Sequence, residues 1–88
     1  MSQQDTLLEF PCDFPIKVFG KAEAGFDAKV VEIIRRHAPD LREGSVKSRA
    51  SRGGKYVAVT VTIRAESKAQ LDDIYRALTA HEQVVMCL

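Results

Sequence analysis

The feature that most constrains the fold of this 88-residue chain is a run of strict two-residue alternation over residues 56–64. One half of the alternation is aliphatic and β-branched, and consists of Val57, Val59, Val61 and Ile63. The other half is small, polar or charged, and consists of Tyr56, Ala58, Thr60, Thr62 and Arg64. Successive side chains of a strand point to opposite faces of its sheet. The pattern therefore predicts a strand with one face on a core and the other against water or a partner.

In two other segments the apolar residues recur with the period of a helix instead of that of a strand, and these segments predict amphipathic helices. Over residues 24–38 the apolar residues recur at steps of three and four, and Pro39 ends the helix. Its inner face is formed by Phe26, Val30, Ile33, Ile34 and His37. The second helix begins at Ser67, because residues 67–70 read Ser-Lys-Ala-Gln and fit a reciprocal capping box. Its apolar stripe is formed by Leu71, Ile74, Tyr75 and Leu78.

Three further segments predict strands. Residues 16–21 mix β-branched, aromatic and basic side chains in near alternation after Pro15. Residues 45–51 alternate weakly and carry two long cations, which are typical of a protected sheet edge. Residues 52–55 contain paired glycines and predict the turn of a hairpin that joins this edge to the alternating strand. Residues 84–88 predict a short apolar strand.

The order of these elements is βαββαβ, and right-handed crossovers interleave its two βαβ halves. The predicted fold class is α+β: a ferredoxin-like split βαβ sandwich in which a four-stranded antiparallel sheet carries both helices on one face. The first and third strands are expected at its centre, and the second and fourth at its edges. We expect residues 13–88 to form this single domain. Residues 1–12 are expected to form a flexible or extended N-terminal arm, with apolar side chains folded back onto the body.

Composition and charge narrow the classes of function. With 45% apolar and 28% charged residues, the chain is not that of a disordered protein. Thirteen basic residues against twelve acidic ones give +1, so global charge indicates neither nucleic acid nor a membrane as the partner. There is no apolar run of about 18 residues, and the first residues lack the features of a secretory signal. We therefore expect a cytoplasmic protein with no membrane partner.

The residues that could carry chemistry are few and dispersed. Cys12 and Cys87 lie near opposite ends of the chain, with no CxxC motif and no adjacent histidine, as is typical of a reduced protein. His37 and His81 both lie where helices are predicted to end, and their spacing does not match a metal site. We expect no enzymatic activity, no metal and no cofactor. A nucleophilic thiol is the alternative that thiol labelling would test.

The hairpin is the most distinctive local charge feature. Between Glu43 and Glu66 there is no acidic residue, but there are five basic ones. With one aromatic residue they form a candidate surface for an anion or a partner, namely Lys47, Arg49, Arg52, Lys55, Tyr56 and Arg64. The alternative interpretation is a solvated edge that prevents aggregation.

RNA binding in the usual mode of such sheets is not expected. The strand signature of RNA-recognition domains fails at Gly54, where a stacking aromatic is required, and again at Lys55 and Val59. Lys17 occupies the position where the first strand would supply a second aromatic. One exposed tyrosine cannot stack two or three bases.

The last predicted strand is a second candidate surface. Its apolar residues are Val84, Val85, Met86, Cys87 and Leu88. At a sheet edge they would leave a row of unpaired hydrogen-bonding groups unless the N-terminal arm or a second copy of the chain covers it. Pairing into a homodimer is therefore one expectation for this edge.

Several segments also resemble a known family. They are residues 8–11 (Leu-Glu-Phe-Pro), 14–20, 30–39, 54–61 and 84–88, and they are similar to the YbeD-like family of small bacterial proteins. The resemblance covers nearly the whole chain. It implies the ferredoxin-like fold and an architecture similar to ACT-type regulatory domains, which bind small effectors such as amino acids. It implies no catalytic motif, and fold alone does not give function.

The leading hypothesis is therefore a non-catalytic binding or regulatory module that acts through a small effector or a protein partner. The alternative is binding of an anion or a nucleic acid through the basic hairpin at residues 45–55.

Overall fold

The predicted order of elements is confirmed by the computed structural model, which describes residues 9–88 apart from the side chain of Glu43. The strands are β1 (Cys12–Lys21), β2 (Val46–Ala50), β3 (Tyr56–Ala65) and β4 (Val84–Cys87). The helices are α1 (Phe26–Arg35) and α2 (Lys68–Thr79), and a 3₁₀ turn, Glu43–Ser45, precedes β2. The sheet order is β2-β3-β1-β4, and every neighbouring pair is antiparallel. The central and edge strands are those that the topology predicts.

The core lies between one face of this sheet and the two helices. Val59, Val61 and Ile63 of β3 are buried as their alternation predicts, whereas Val57, close to the hairpin, is only half-buried. β1 adds Ile16 and Val18 to the same face. The helices bury Phe26, Val30, Ile33, Ile34, Leu71, Ile74 and Leu78 against it. Neither helix has the length and apolar character that would be needed to cross a membrane, within the residues described.

β1 begins earlier than predicted, at Cys12, and runs through Pro15. Hydrogen bonds in both directions join Lys17 to Leu88, so the backbone groups of Lys17 point toward β4. Two residues earlier, the nitrogen of Pro15 points to the same side, where β4 has already ended. A proline is tolerated in this central strand because β4 offers no carbonyl at this position to which an N–H of residue 15 could donate.

The described part of the N-terminal arm contacts the body. Residues 1–8 of the predicted arm lie outside the described residues. Phe10 is half-buried and packs against the core, and Cys12 already belongs to β1.

Helix α1 is shorter than the predicted span of residues 24–38. It begins after Gly25, whose φ of 82° is left-handed and cannot belong to a right-handed helix. It ends at Arg35, and the chain then turns through hydrogen bonds from His37 and Ala38 to the Ile34 carbonyl. His37 is consequently half-buried beyond the helix instead of lying on its inner face.

The capping box of α2 is present with one difference. The Gln70 amide donates to Ser67 Oγ at 3.1 Å, as predicted. The Gln70 side-chain oxygen accepts from the Glu66 amide at 2.7 Å instead of from the amide of Ser67. The Gln70 side-chain nitrogen donates to the His37 carbonyl, also at 2.7 Å. One glutamine therefore caps α2 and ties it to the end of α1.

Candidate functional site

The face of the sheet turned away from the helices carries the candidate site, and we name it the open face. Residues paired across antiparallel strands share a face, so the register gives its members. Ala58 of β3, for example, lies between Phe19 of β1 and Arg49 of β2. The open face comprises Asp13, Pro15, Lys17, Phe19, Lys21, Lys47, Arg49, Tyr56, Ala58, Thr60, Thr62 and Arg64. None of these side chains is buried.

The open face is strongly basic. Five of its members are cations: Lys17, Lys21, Lys47, Arg49 and Arg64. Its one acidic member, Asp13, lies 3.4 Å from Arg64, and both side chains are exposed. Four cations on this face thus form no ion pair with any described residue. Mutual repulsion of these charges is relieved when an anionic partner covers them.

Lys17 and Lys21 were not included among the predicted site residues. The signal was present, since near alternation over residues 16–21 puts both lysines on the side away from Ile16 and Val18. What the alternation of one strand does not give is the register against β3, which brings these lysines onto the same face as the hairpin cations.

Apolar side chains lie among these cations. Phe19 is half-buried and faces Met86 of β4, which is 48% exposed. Tyr56 is 48% exposed and Leu88 61% exposed. The open face thus holds two aromatic residues instead of the single tyrosine counted from the sequence. Mixed apolar and basic character is typical of a surface that binds another molecule.

The hairpin gives this face a concavity of about 480 Å³. It is lined by Phe19, Arg49, Ala50, Ser51, Arg52, Tyr56, Val57 and Ala58. Three predicted site residues, Arg49, Arg52 and Tyr56, are therefore brought together. Lys47 and Lys55 are exposed outside the concavity, and Arg64 lies eight residues along β3 from Tyr56, roughly 27 Å away. The six predicted residues do not form one site.

Ser51 fixes the shape of the turn beside the concavity. Its amide donates to the Tyr56 carbonyl at 2.8 Å, and its Oγ accepts from the Tyr56 amide at 3.1 Å. Its carbonyl accepts from the amide of Gly54, whose φ of 73° closes the turn. The backbone on either side of Tyr56 is therefore held in place.

The β4 edge is positioned as predicted, at the margin of the sheet. Leu88 exchanges both hydrogen bonds with Lys17, so the amide and carbonyl of Cys87, one residue earlier, point outward. Val85, Met86 and Leu88 are exposed, whereas Val84 and Cys87 are half-buried. The Tyr75 hydroxyl donates to the Leu88 oxygen at 2.9 Å and joins this strand to α2.

The thiols and imidazoles do not gather into a reactive site. Cys12 pairs with Ala65, whereas Cys87 pairs with Val18, so the two cysteines lie about 20 Å apart along β1. Burial raises the pKa of the Cys87 thiol, which lowers its thiolate fraction at neutral pH. His37 lies near the start of α2 and His81 follows its end. Within residues 9–88, no group of three or more acidic, histidine or cysteine side chains is placed to hold a metal.

Comparison with known proteins places the chain among the members of one protein family. The family model described as "Protein of unknown function (DUF493)" matches residues 5–88. The UPF0250 protein NE1487 of Nitrosomonas europaea is 45% identical over 85 residues, which are 97% of this chain and 98% of that protein. A UPF0250 protein of Paraburkholderia phytofirmans is 47% identical over 87 residues (99% and 98%), and one of Neisseria gonorrhoeae is 44% identical over 91 (100% of both).

One solved structure is similar in fold. The solution structure of protein HP0495 from H. pylori matches with a TM-score of 0.71 at 14% identity, covering 92% of this chain and 85% of that one. At this identity the likeness concerns fold alone. It agrees with the predicted ferredoxin-like class.

Proposed function

This chain belongs to the DUF493 (UPF0250) family, which is YbeD-like as the sequence indicated, and we propose that it is a non-catalytic binding module whose open face docks onto an acidic surface of a protein partner. The observation that carries the proposal is the juxtaposition of exposed apolar side chains with four cations that pair with no described residue, on a face that no described element covers.

A protein partner suits this surface better than a nucleic acid does. Nucleic-acid binding relies on many phosphate contacts and on several stacked bases. Here Phe19 and Met86 lie side by side next to the cations of β1, and the whole chain carries only +1. Aromatic residues, methionine and arginine are the residue types enriched at protein interfaces. The partner surface that complements the open face combines acidic side chains with apolar ones.

The same arrangement suits a regulatory role. A small domain can influence another protein by binding it, and electrostatic complementarity would govern its rate of association and its choice of partner. The architecture similar to ACT-type domains supports this proposal by analogy of fold only. The predicted location in the cytoplasm is part of the same proposal.

Site-specific photo-crosslinking in the host bacterium tests the proposal. A photoreactive residue at Thr60, in the middle of the open face, is expected to give a discrete adduct with one protein. The matched control carries the same residue at Asp73, which is exposed on the helical side of the domain. Adducts from Asp73 alone, or from neither position, would contradict docking through the open face.

The adduct must then pass a quantitative check. The protein identified by mass spectrometry is purified, and its affinity for the chain is measured at about 50 and 300 mM salt. We expect binding to weaken several-fold as salt rises, because the cations are exposed and therefore screened. An adduct whose affinity does not respond to salt would contradict the charge-based part of the proposal.

Binding of an anionic polymer is the second candidate, and the unpaired cations favour it. Its test is titration with single-stranded RNA and duplex DNA. Loss of four phosphate contacts would flatten the slope of log affinity against log salt by about three to four. A variant with Lys17, Lys47, Arg49 and Arg52 changed to Ala that binds either polymer as tightly as the wild-type chain does would dispose of this candidate.

A further inference from the structure

We infer that the hairpin concavity is a binding site for a small molecule that combines a planar aromatic ring with a phosphate group. The inference is independent of the protein partner proposed above, because binding is measured on the isolated chain. It concerns a ligand class that neither the fold nor the family membership indicates.

The shape of the concavity follows from one small side chain. Ala58 lies in a row with Phe19 on one side and Arg49 on the other, and Tyr56 is its neighbour along β3 on the same face. A methyl group surrounded by three long side chains leaves a depression above the sheet. The resulting volume of about 480 Å³ is in the range that holds small ligands.

Aromatic rings line two sides of this depression. Phe19 and Tyr56 are diagonal neighbours on adjacent strands, a separation of about 7–8 Å at the backbone. Phe19 is half-buried and Tyr56 is about half-exposed, so each presents ring surface to the depression without being free to collapse into the core. The backbone of Tyr56 is held on both sides by Ser51. A planar ring above Ala58 can contact both aromatic side chains.

Two guanidinium groups supply the anion-binding part. Arg49 and Arg52 both line the concavity, and neither forms an ion pair with a described residue. No acidic residue occurs between Glu43 and Glu66, so nothing in the hairpin competes for them. A phosphate monoester carries nearly two negative charges at neutral pH and matches two guanidinium groups better than a single carboxylate does.

The larger concavity at the other end of the sheet shows a contrast. Its lining mixes acidic and basic side chains, namely Asp13, Asp40, Glu66, Arg42 and Arg64. It contains no phenylalanine or tyrosine, and its one aromatic ring is the imidazole of His37. A doubly negative ligand would meet carboxylates there, whereas the charged side chains that line the hairpin concavity are all cations.

The test is a titration of the ¹⁵N-labelled chain followed by amide chemical shifts. The probes are phenyl phosphate and adenosine monophosphate, and the comparison ligands are inorganic phosphate and adenosine. Saturable shifts are expected at Phe19, Ala58 and Tyr56 with both probes. Each comparison ligand lacks either the ring or the anion and is expected to bind at least tenfold more weakly.

Matched variants separate site binding from general attraction to the basic face. Ala58→Leu fills the depression, and Arg49→Gln removes one guanidinium; each is expected to weaken phenyl phosphate binding about tenfold or more. Ala58→Val fills it less and serves if the leucine variant does not fold. Thr62→Val lies on the same face outside the concavity and is expected to leave the affinity unchanged within twofold.

Two results would overturn the inference. One is the absence of saturable shifts with phenyl phosphate and adenosine monophosphate at about 10 mM. The other is equal binding of phenyl phosphate to the wild-type chain and to a folded Ala58 variant. Neither result bears on the protein partner, which is tested by crosslinking at Thr60.

Discussion

Gly20 is the position where the packing of this fold leaves least room, and its replacement by alanine gives a sharp test of the structure. A Cβ at Gly20 would lie 2.6 Å from the Gln83 carbonyl oxygen and would overlap the Phe26 ring. Phe26 is only 2% exposed at the start of α1. The strand cannot retreat, because Lys21 is hydrogen-bonded to Gln83 and Gly20 itself pairs with Val84.

The cost follows from this geometry. Inserting a methyl group into a packed core costs about 1–3 kcal/mol, and here both neighbours are fixed. For a domain of this size, that cost lowers the melting temperature by roughly 5–20 °C. Thermal unfolding followed by circular dichroism measures it. The control is Gly53→Ala, where nothing lies within 4 Å of the added Cβ and φ is not positive, so we expect little change or a slight gain.

A second substitution identifies the cause. Phe26→Leu shortens the side chain that the new methyl group meets, so it should be less destabilising in the Gly20→Ala background than alone. We expect a coupling of about 1 kcal/mol between the two changes. Strict additivity of the two costs, or a Gly20→Ala variant as stable as the wild-type chain, would refute this explanation.

Three further predictions concern the helix cap, the pH dependence of stability and the β4 edge. Ser67→Ala removes the acceptor of the Gln70 amide and should cost about 1 kcal/mol in urea unfolding, whereas Ser48→Ala on exposed β2 should cost less than half of that. Burial raises the pKa of Cys87 above its ordinary value of 9.0. Burial and the charge of Cys87 raise the pKa of Tyr75 above its ordinary value of 10.0. The two groups therefore contribute fully to stability below about pH 9, and this contribution is lost as pH rises through the raised pKa values. The melting temperature should therefore fall above that pH, and a decline just as steep in a Tyr75→Phe, Cys87→Ala variant would contradict the assignment. Pairing of β4 with a second copy of the chain stays a prediction. Light scattering should give the mass of a dimer, and oxidation of a Cys12→Ser variant should join two chains through Cys87. A monomer at about 100 μM would exclude this pairing.

Much of the fold was predictable because local patterns and topology agree. The alternation over β3 and the apolar stripes of both helices each identify one buried face, and a βαββαβ order leaves few ways to bury all of them. The ends of elements were less predictable. β1 extends through Pro15 because it pairs with β3 there and β4 does not reach that position, and α1 begins late because Gly25 is left-handed. The first of these facts depends on strands distant in sequence, and the second on the backbone conformation of a single glycine.

The candidate site was predictable only in part. A charge count over the hairpin identifies Arg49 and Arg52, and the adjoining aromatic residue is Tyr56; the structure does bring these three together. Phe19 and the lysines of β1 were missed as site residues, because register across the sheet decides which residue of β1 faces which residue of β3. Lys55 and Arg64 were grouped with the site by sequence proximity and by charge, although a ten-residue strand separates them.

The central proposal is that the open face, and not the helical side, is where this domain binds its partner. The most direct measurement compares two charge reversals, Lys17→Glu on the open face and Lys29→Glu on exposed α1, in affinity for the protein crosslinked from Thr60. Both variants change the net charge by the same amount. We expect at least a tenfold loss of affinity for Lys17→Glu and less than a twofold change for Lys29→Glu. Equal losses, or a larger loss for Lys29→Glu, would contradict the central proposal.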